Sequence, residues 1–321
     1  MPHIQRQEVV PVSMADKRLD QIATLLFPEY SRNRLQTWIK SGGLLVDGKS
    51  HRASGRLQGG EQLVLDVELE DLEAQPEPIE LDIVYEDENL LVINKQADLV
   101  VHPGAGNFSG TILNGLLHHE SSLATVPGGG LVHRLDKGTT GLMVVAKTLE
   151  SQSSLVSQLQ ARTVKRIYET VVFGNPQTPG KVDAPIGRHR SQRTRMAVRS
   201  DGRSATTHYR ITRHFVSHAH LELRLETGRT HQIRVHMQHL GFPLVGDITY
   251  GGHKRRLLNA NEHEQQEIDR FNRPALHAKK LTLIHPGSNE EVTWEAKAPG
   301  DFAALLRNLD AHQTRTQAIG N

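Results

Sequence analysis

From Lys17 onward the apolar residues recur at helical spacing: Leu19, Ile22, Ala23 and Leu26 stand at i, i+3, i+4 and i+7. Pro28 closes this predicted helix. Ser31 predicts the N-cap of a second helix, with Leu35, Trp38 and Ile39 on one face and Arg32, Arg34 and Lys40 towards the other. Gly42-Gly43 stops it. Leu44-Leu45-Val46 with Asp47-Gly48 then reads as a strand and tight turn, and Gly59-Gly60 precedes a strand from Gln62 to Val67. From Leu81 the texture changes to short apolar runs split by turns. Leu90-Leu91-Val92-Ile93, Leu142-Met143-Val144-Val145 and Leu221–Leu225 predict strands of a mixed or antiparallel sheet. Gln152–Gln160 and Thr230–Leu240 predict helices. The pattern shows no internal repeat and no low-complexity segment.

A chain of 321 residues suggests roughly two domains. With 37% hydrophobic and 23% charged residues a core can form, which excludes global disorder. The absence of cysteine excludes disulfides, thiolate zinc sites, iron–sulfur clusters and cysteine nucleophiles. No apolar run reaches the ~18 residues of a membrane span. The first residues, MPHIQRQEVVPV, lack the apolar core of a signal peptide. The expectation is a soluble, cytoplasmic protein.

Charge changes the picture because it is uneven. The formal net charge is +2, yet residues 67–90 hold ten acids and no lysine or arginine. That stretch, with Gln75-Pro76-Glu77-Pro78, reads as a linker over 71–81. Between Arg188 and Arg213 stand eight arginines and one acid, Asp201. Guanidinium groups suit bidentate contact with phosphate, so Arg188, Arg190, Arg193 and Arg195 are candidate contacts for a polyanion.

The stretch HRLDKGTTGL, residues 133–142, concentrates the candidate chemistry. Asp136 lies close to Arg134 and Lys137 in a turn rich in glycine and threonine, just before an apolar strand. Nearby cations favour the carboxylate form, and a loop at a strand end can present it to a ligand. Taken alone, the same residue reads equally as a turn former or an ion-pair partner.

Residues 13–70, with RLDQ, SRNRLQTWIKSGGLLVDGK and a Gly-Gly before a strand, resemble the S4 RNA-binding domain. The resemblance implies that Arg32, Arg34 and Lys40 meet RNA phosphates. HRLDKGTTGL resembles the catalytic motif of the RluA family of pseudouridine synthases. Further blocks in the same order resemble it too: Val92–Lys95 through Val100–Pro103, Lys165–Tyr168, Leu225–His236, then Arg273–Ala278 with His285-Pro286. Gln96 stands where the family usually has proline, Asp98 where glycine is common, and Gly138 where many members carry an acid.

The resemblance implies an α+β chain: a small N-terminal RNA-binding domain, then a catalytic domain over 82–307 on a mixed, mostly antiparallel sheet flanked by helices and loops. Residues 308–321 are expected to be a disordered tail. The implied reaction breaks the N1–C1′ bond of uridine and rejoins the base through C5, so neither cofactor nor metal is expected. The chain also lacks a P-loop, a zinc-protease helix motif and a dinucleotide fingerprint. Asp136 is the implied catalytic carboxylate, acting as nucleophile at C1′ or assisting departure of uracil through a glycal. Tyr168 is implied against the uracil, and Arg229 is expected to pair with the carboxylate. Arg134 is implied to fill the space left by an extruded uridine. Ile233 is the implied apolar floor, and His133 and Thr140 are placed in the same pocket; His102 and His277 fit motif positions.

The expected partner is large-subunit ribosomal RNA or its precursor particle, with the helix 69 stem-loop as the implied target and the protein a monomer. A non-catalytic RNA-binding assembly factor predicts binding without product. A hydrolase with paired carboxylates needs a second acid, for which the motif blocks offer only Glu226. A tyrosyl-tRNA synthetase would need the HIGH and KMSKS signatures, which are absent.

Overall fold

The computed structural model describes residues 3–28, 30, 32–68, 74–104, 106–192, 194–251 and 259–320. Near the N-terminus, β1 (His3–Val9), α1 (Leu19–Leu26), α2 (Arg32–Ser41), β2 (Leu44–Val46) and β3 (Gln62–Glu68) form a small unit. Its antiparallel sheet runs β1-β3-β2. The periodic residues Leu19, Ile22 and Ala23 of α1 and Leu35 and Ile39 of α2 are buried in one core with Leu44, Leu63 and Leu65 of the sheet. The expected cap Ser31 lies outside the described residues, as do Glu70, Asp71 and Glu73 of the acidic stretch. Strand β1 had no apolar alternation to reveal it: its sequence is HIQRQEV and most of it is exposed.

The rest of the chain builds one large sheet. Its strands are β4 (Ile83–Glu86), β5 (Leu90–Lys95), β6 (Thr140–Ala146), β7 (Lys165–Phe173), β8 (Gly180–Asp183), β11 (Thr206–His214), β12 (His218–Leu225), β13 (Leu276–Ile284) and β14 (Glu291–Glu295). β9 (Ile186–Arg188) and β10 (Met196–Val198) form a separate two-stranded ribbon. The large sheet runs β4-β5-β6-β13-β7-β12-β11-β8, with β14 paired to β13. Only β6 and β13 run parallel, so the sheet is mixed and mostly antiparallel.

The continuous apolar runs have a simple cause: both faces of the central strands are covered. On one face Leu91, Ile93, Met143 and Val145 pack with α3 (Ile112–His119) and α5 (Gln232–His239). On the other, Leu90, Val92, Leu142 and Val144 pack with Leu155 of α4 (Leu149–Ala161). Further along that second face, Val171 and Phe173 of β7 meet Ile268 of α6 (Glu262–Asp269) and Phe302, Leu305 and Leu309 of α7 (Gly300–Gly320).

Two expectations change. Residues after Leu309 do not form a disordered tail, because α7 continues to Gly320. Its second half is anchored by the buried His312, and by Arg315, which donates to both carboxylate oxygens of Glu264. Nor do residues 74–81 hang free. Ala74 is buried in the main core, the Glu77 carboxylate accepts the Gly110 N–H, and Ile79 packs against Gly115 of α3. No helix among the described residues is long and apolar enough to cross a membrane.

Gly141, just after the candidate loop, is where β6 touches β13. Its φ is +113°, and a Cβ there would stand 2.3 Å from the Ala278 carbonyl oxygen. Gly141→Ala is expected to cost about 3 kcal/mol or more, from backbone strain and overpacking together. Gly241→Ala, with φ +84° but open space around it, is expected to cost only about 1 kcal/mol. Urea unfolding midpoints of the two variants separate the contributions.

Candidate active site

The loop carrying Asp136 is fastened from below. Lys95, at the end of β5, is only 2% exposed, and its ammonium donates to the carbonyls of Gln96 at 2.7 Å, Leu99 at 2.8 Å and Lys137 at 3.0 Å. One lysine thus joins the 96–99 turn to the residue after Asp136. Burial pulls its pKa down to about 7, against the attraction of Asp136 and Asp98. Asp98 sits in the left-handed region at φ 63°, which is why glycine suits this position and why aspartate is tolerated. The Thr139 N–H donates to the Asp136 carbonyl and closes the turn.

The carboxylate itself is held by α5. Asp136 Oδ2 accepts Arg234 Nη1 at 3.1 Å. The other edge of that guanidinium donates to Asp247, Nε at 2.6 Å and Nη2 at 2.9 Å. Asp247 is fully buried and also accepts the N–H groups of Thr249 and Tyr250. The Arg234 guanidinium lies 5.0 Å from the Tyr250 ring centroid. Burial acts to lower its pKa, but the two carboxylates raise it further, so Arg234 stays charged. His231 Nε2 stands 3.8 Å from Asp136 Oδ1, while its Nδ1 pairs with the Tyr250 hydroxyl at 2.8 Å. Burial lowers the His231 pKa despite Asp136, so the ring is neutral near pH 7.

Asp136 faces a cavity of about 700 Å³ whose wall includes Leu135, Tyr168, Arg166, Ile233 and Leu276. A second cavity, of about 580 Å³, shares Asp136, Arg134 and His231. Tyr168 comes from β7 on the face of the main core, and burial raises its pKa, which keeps the phenol protonated. The arrangement is a carboxylate fixed by a guanidinium, beside a neutral phenol, on an apolar floor.

Residues 89–239 match the family model for RNA pseudouridylate synthase. The chain is 53% identical to ribosomal large subunit pseudouridine synthase D of Pseudomonas aeruginosa, over 99% of each chain. It is 49% identical to the protein of that name in Escherichia coli K12, over 96% of this chain and 95% of the other. The chain belongs to the RNA pseudouridylate synthase family. Among solved structures, human RNA pseudouridylate synthase domain containing 4 aligns with TM-score 0.55 at 28% identity, covering 71% of this chain and 92% of that one. Human RNA pseudouridylate synthase domain containing 1 aligns with TM-score 0.54, also at 28% identity, covering 68% and 84%.

Within this synthase the expected site residues divide. Asp136, Tyr168, Arg134, His133, Ile233 and Arg229 all line the larger cavity. Arg229, however, does not pair with Asp136. It lies just ahead of α5, and its Nε donates to the Ser204 carbonyl at 3.1 Å. The partner is Arg234, two residues into α5. Its apolar neighbours Ile233 and Val235 gave no signal, because adjacent helical residues face different sides; the burial of Arg234 beside Asp247 follows from how α5 packs. Thr140 also turns away. Its hydroxyl bonds His277 Nδ1 at 2.9 Å inside the sheet, whereas the preceding Thr139 lines the cavity with a buried hydroxyl that has no partner. Successive strand residues face opposite sides, so the choice between the two threonines hinged on one position of register. His133 keeps a little surface towards the cavity, yet its Nε2 accepts the Val144 N–H at 3.0 Å.

The residues expected to meet RNA are also partly engaged. Asp20 of α1 is fully buried, and Arg32 and Gln36 of α2 donate to it at 2.8 and 2.6 Å, joined by Arg18. Burial would raise that carboxyl's pKa, but these donors lower it overall. Arg34 lies over the Trp38 ring at 5.2 Å, and Lys40 is exposed. On the β9–β10 ribbon Arg188 and Arg190 are exposed, while Arg195 donates to Gln192 and lies over Tyr250 at 5.2 Å. Arg193 lies outside the described residues.

Removing Asp247 leaves Arg234 buried with half its compensation. Asp247→Ala is expected to cost about 3–5 kcal/mol in urea unfolding. A pH effect follows from His133. Burial lowers its pKa to about 3, from about 6.5 in the unfolded chain. Its contribution is therefore complete above pH 6.5 and is lost as the pH falls towards 3, at up to about 1.4 kcal/mol per pH unit. In His133→Gln the acid dependence of the urea midpoint is expected to be shallower across that window; an unchanged slope refutes the assignment.

Proposed function

We propose that this chain isomerises uridine to pseudouridine in large-subunit ribosomal RNA. The observation that carries the reading is the Asp136 carboxylate, held by Arg234 and facing the same cavity as Tyr168. The names of the relatives support the choice of RNA, and the motif resemblance supports the helix 69 stem-loop as target.

In this reading the uridine leaves its stack, which costs a few kcal/mol and least in a loop. Its base lies against Tyr168 and Ile233, and Arg134, exposed at the mouth of both cavities, meets the RNA it leaves behind. The ribose C1′ comes against Asp136. Breakage of the N1–C1′ bond puts positive charge on the sugar, which the carboxylate stabilises by bonding or by proximity. The released uracil turns within the cavity and C5 bonds to C1′; the C5 proton then departs and N1 gains one. Arg234 keeps the carboxylate oriented throughout, with neutral His231 beside it. Glu226 also borders the cavity, but it is tied to His208 at 2.5 Å. It makes a poor second acid for a hydrolase with paired carboxylates.

The small N-terminal unit, with Lys40 exposed on α2, is read as the RNA-binding domain, and the β9–β10 ribbon as a second contact. The protein is read as a cytoplasmic monomer. Asp136→Asn is expected to lower turnover by more than about 10³-fold while leaving RNA affinity within a few-fold. Pseudouridine mapping by carbodiimide-dependent reverse-transcription stops, on ribosomal RNA incubated with each protein, reads the first, and filter binding the second. Product from a purified Asn variant at near wild-type rate would remove Asp136 from the centre of the reaction.

A further inference from the structure

The wall of the larger cavity away from Asp136 carries a cluster of guanidinium groups for which the reaction above has no use. Arg166 on β7 is only 9% exposed, lines the cavity, and has a buried Nε without a hydrogen-bond partner. Among the described residues no carboxylate pairs with it. Its Nη1 is packed against Gly228, where a Cβ would come within 2.7 Å of it. Arg162, in the left-handed conformation that ends α4, and Arg229 border the same cavity. Neither is in a salt bridge with an acid among the described residues. Burial and the neighbouring charges of Arg203 and Arg162 lower the Arg229 pKa. Such a cluster in a partly closed site is costly to hold empty, and an anion relieves it.

The register says which anion. Arg166 and Tyr168 are two residues apart on one strand, so they face the same side about 6.6 Å from each other. A base against Tyr168 brings a phosphate of the same strand to Arg166. Gly228 leaves the guanidinium room to lie flat where any side chain would displace it. We propose that Arg166, flanked by Arg162 and Arg229, seats a backbone phosphate next to the extruded uridine and so fixes how deeply that nucleotide enters. The inference rests on the functional reading above.

The test uses the full chain and a synthetic RNA stem-loop with a single target uridine. Arg166→Gln is expected to raise KM about ten- to a hundredfold, the worth of a charge-assisted hydrogen bond, with kcat much less affected. Arg166→Lys is expected to recover part of the loss. Arg162→Ala, at an exposed position that does not threaten folding, and Gly228→Ala, which displaces the Arg166 tip, are expected to shift KM in the same direction. Neutral methylphosphonates are then placed singly on the 5′ and the 3′ side of the uridine. One of the two is expected to reproduce the KM rise in the wild type and to add nothing in Arg166→Gln. A wild type that turns over the plain stem-loop but ignores both methylphosphonates, or losses that simply add, overturns the phosphate seat alone. A wild type that modifies no RNA overturns the functional reading, and this inference with it.

Discussion

The site depends on one buried array of charge, Asp136–Arg234–Asp247. Arg234 is 8% exposed at its side chain and Asp247 1%, so neither could be tolerated alone in that position. Asp247 takes the planar edge of the guanidinium in a bidentate pair and is itself satisfied by two backbone N–H groups. The arginine is therefore neutralised before it reaches Asp136. What it offers the second carboxylate is a single N–H at 3.1 Å, enough to aim the group without consuming its charge. The array as a whole keeps one net negative charge, with Asp136 as its most exposed member. That is the state a developing positive sugar needs. A lysine would not serve in place of Arg234, because one point charge cannot grip Asp247 along an edge and still reach Asp136.

The elements were more legible than the pairings. Continuous apolar runs located β5 and β6 because their inner and outer faces are both covered, the alternation of Leu221, Leu223 and Leu225 with exposed or half-buried Glu222 and Arg224 located β12, and the helical spacing of Leu19, Ile22 and Ala23 located α1. The polar edge strand β1 and the polar second half of α7 carried no comparable pattern, since their partners lie far away in sequence. The loop with Asp136 was legible from motif order. Which arginine meets the carboxylate was not, because Arg229 and Arg234 are separated by little more than one helical turn. The distinction lies in where α5 begins: His231 takes a left-handed φ of 58° and α5 starts only at Gln232, which sends Arg229 outwards and Arg234 inwards.

Charge counting overstated the free cationic surface for a similar reason. Of the eight arginines between 188 and 213, Arg199 is paired with Asp201, Arg210 with Glu222 and Arg213 with Asp310. Arg32, expected to face RNA, neutralises Asp20. The acids of residues 67–90 behave in the same way from the other side. Glu86 meets Lys147 and His119, and Asp87 meets His285, so part of the acidic stretch ties β4 to the sheet core rather than forming a repulsive linker. What is left unpaired is more informative than the totals. Guanidinium groups without a carboxylate partner among the described residues collect on the wall of the cavity that Asp136 faces.

Two non-glycine residues held at positive φ flank the carboxylate, Asp98 and His231. Each such residue costs of order 1 kcal/mol in backbone energy, and each is kept in place by contacts that the site also uses. The turn at Asp98 is closed by Lys95, whose remaining donor holds the Lys137 carbonyl. His231 is fixed by the Tyr250 hydroxyl, and the Tyr250 ring in turn lies beneath Arg234. The strain and the array are therefore not separate features. Relaxing either turn would release a neighbour of Asp136, so the local cost is the consequence of fixing a carboxylate from two sides before substrate arrives. A charged group oriented in advance has little reorganisation left to undergo when the glycosidic bond breaks, which is the contribution a rigid scaffold makes to this reaction.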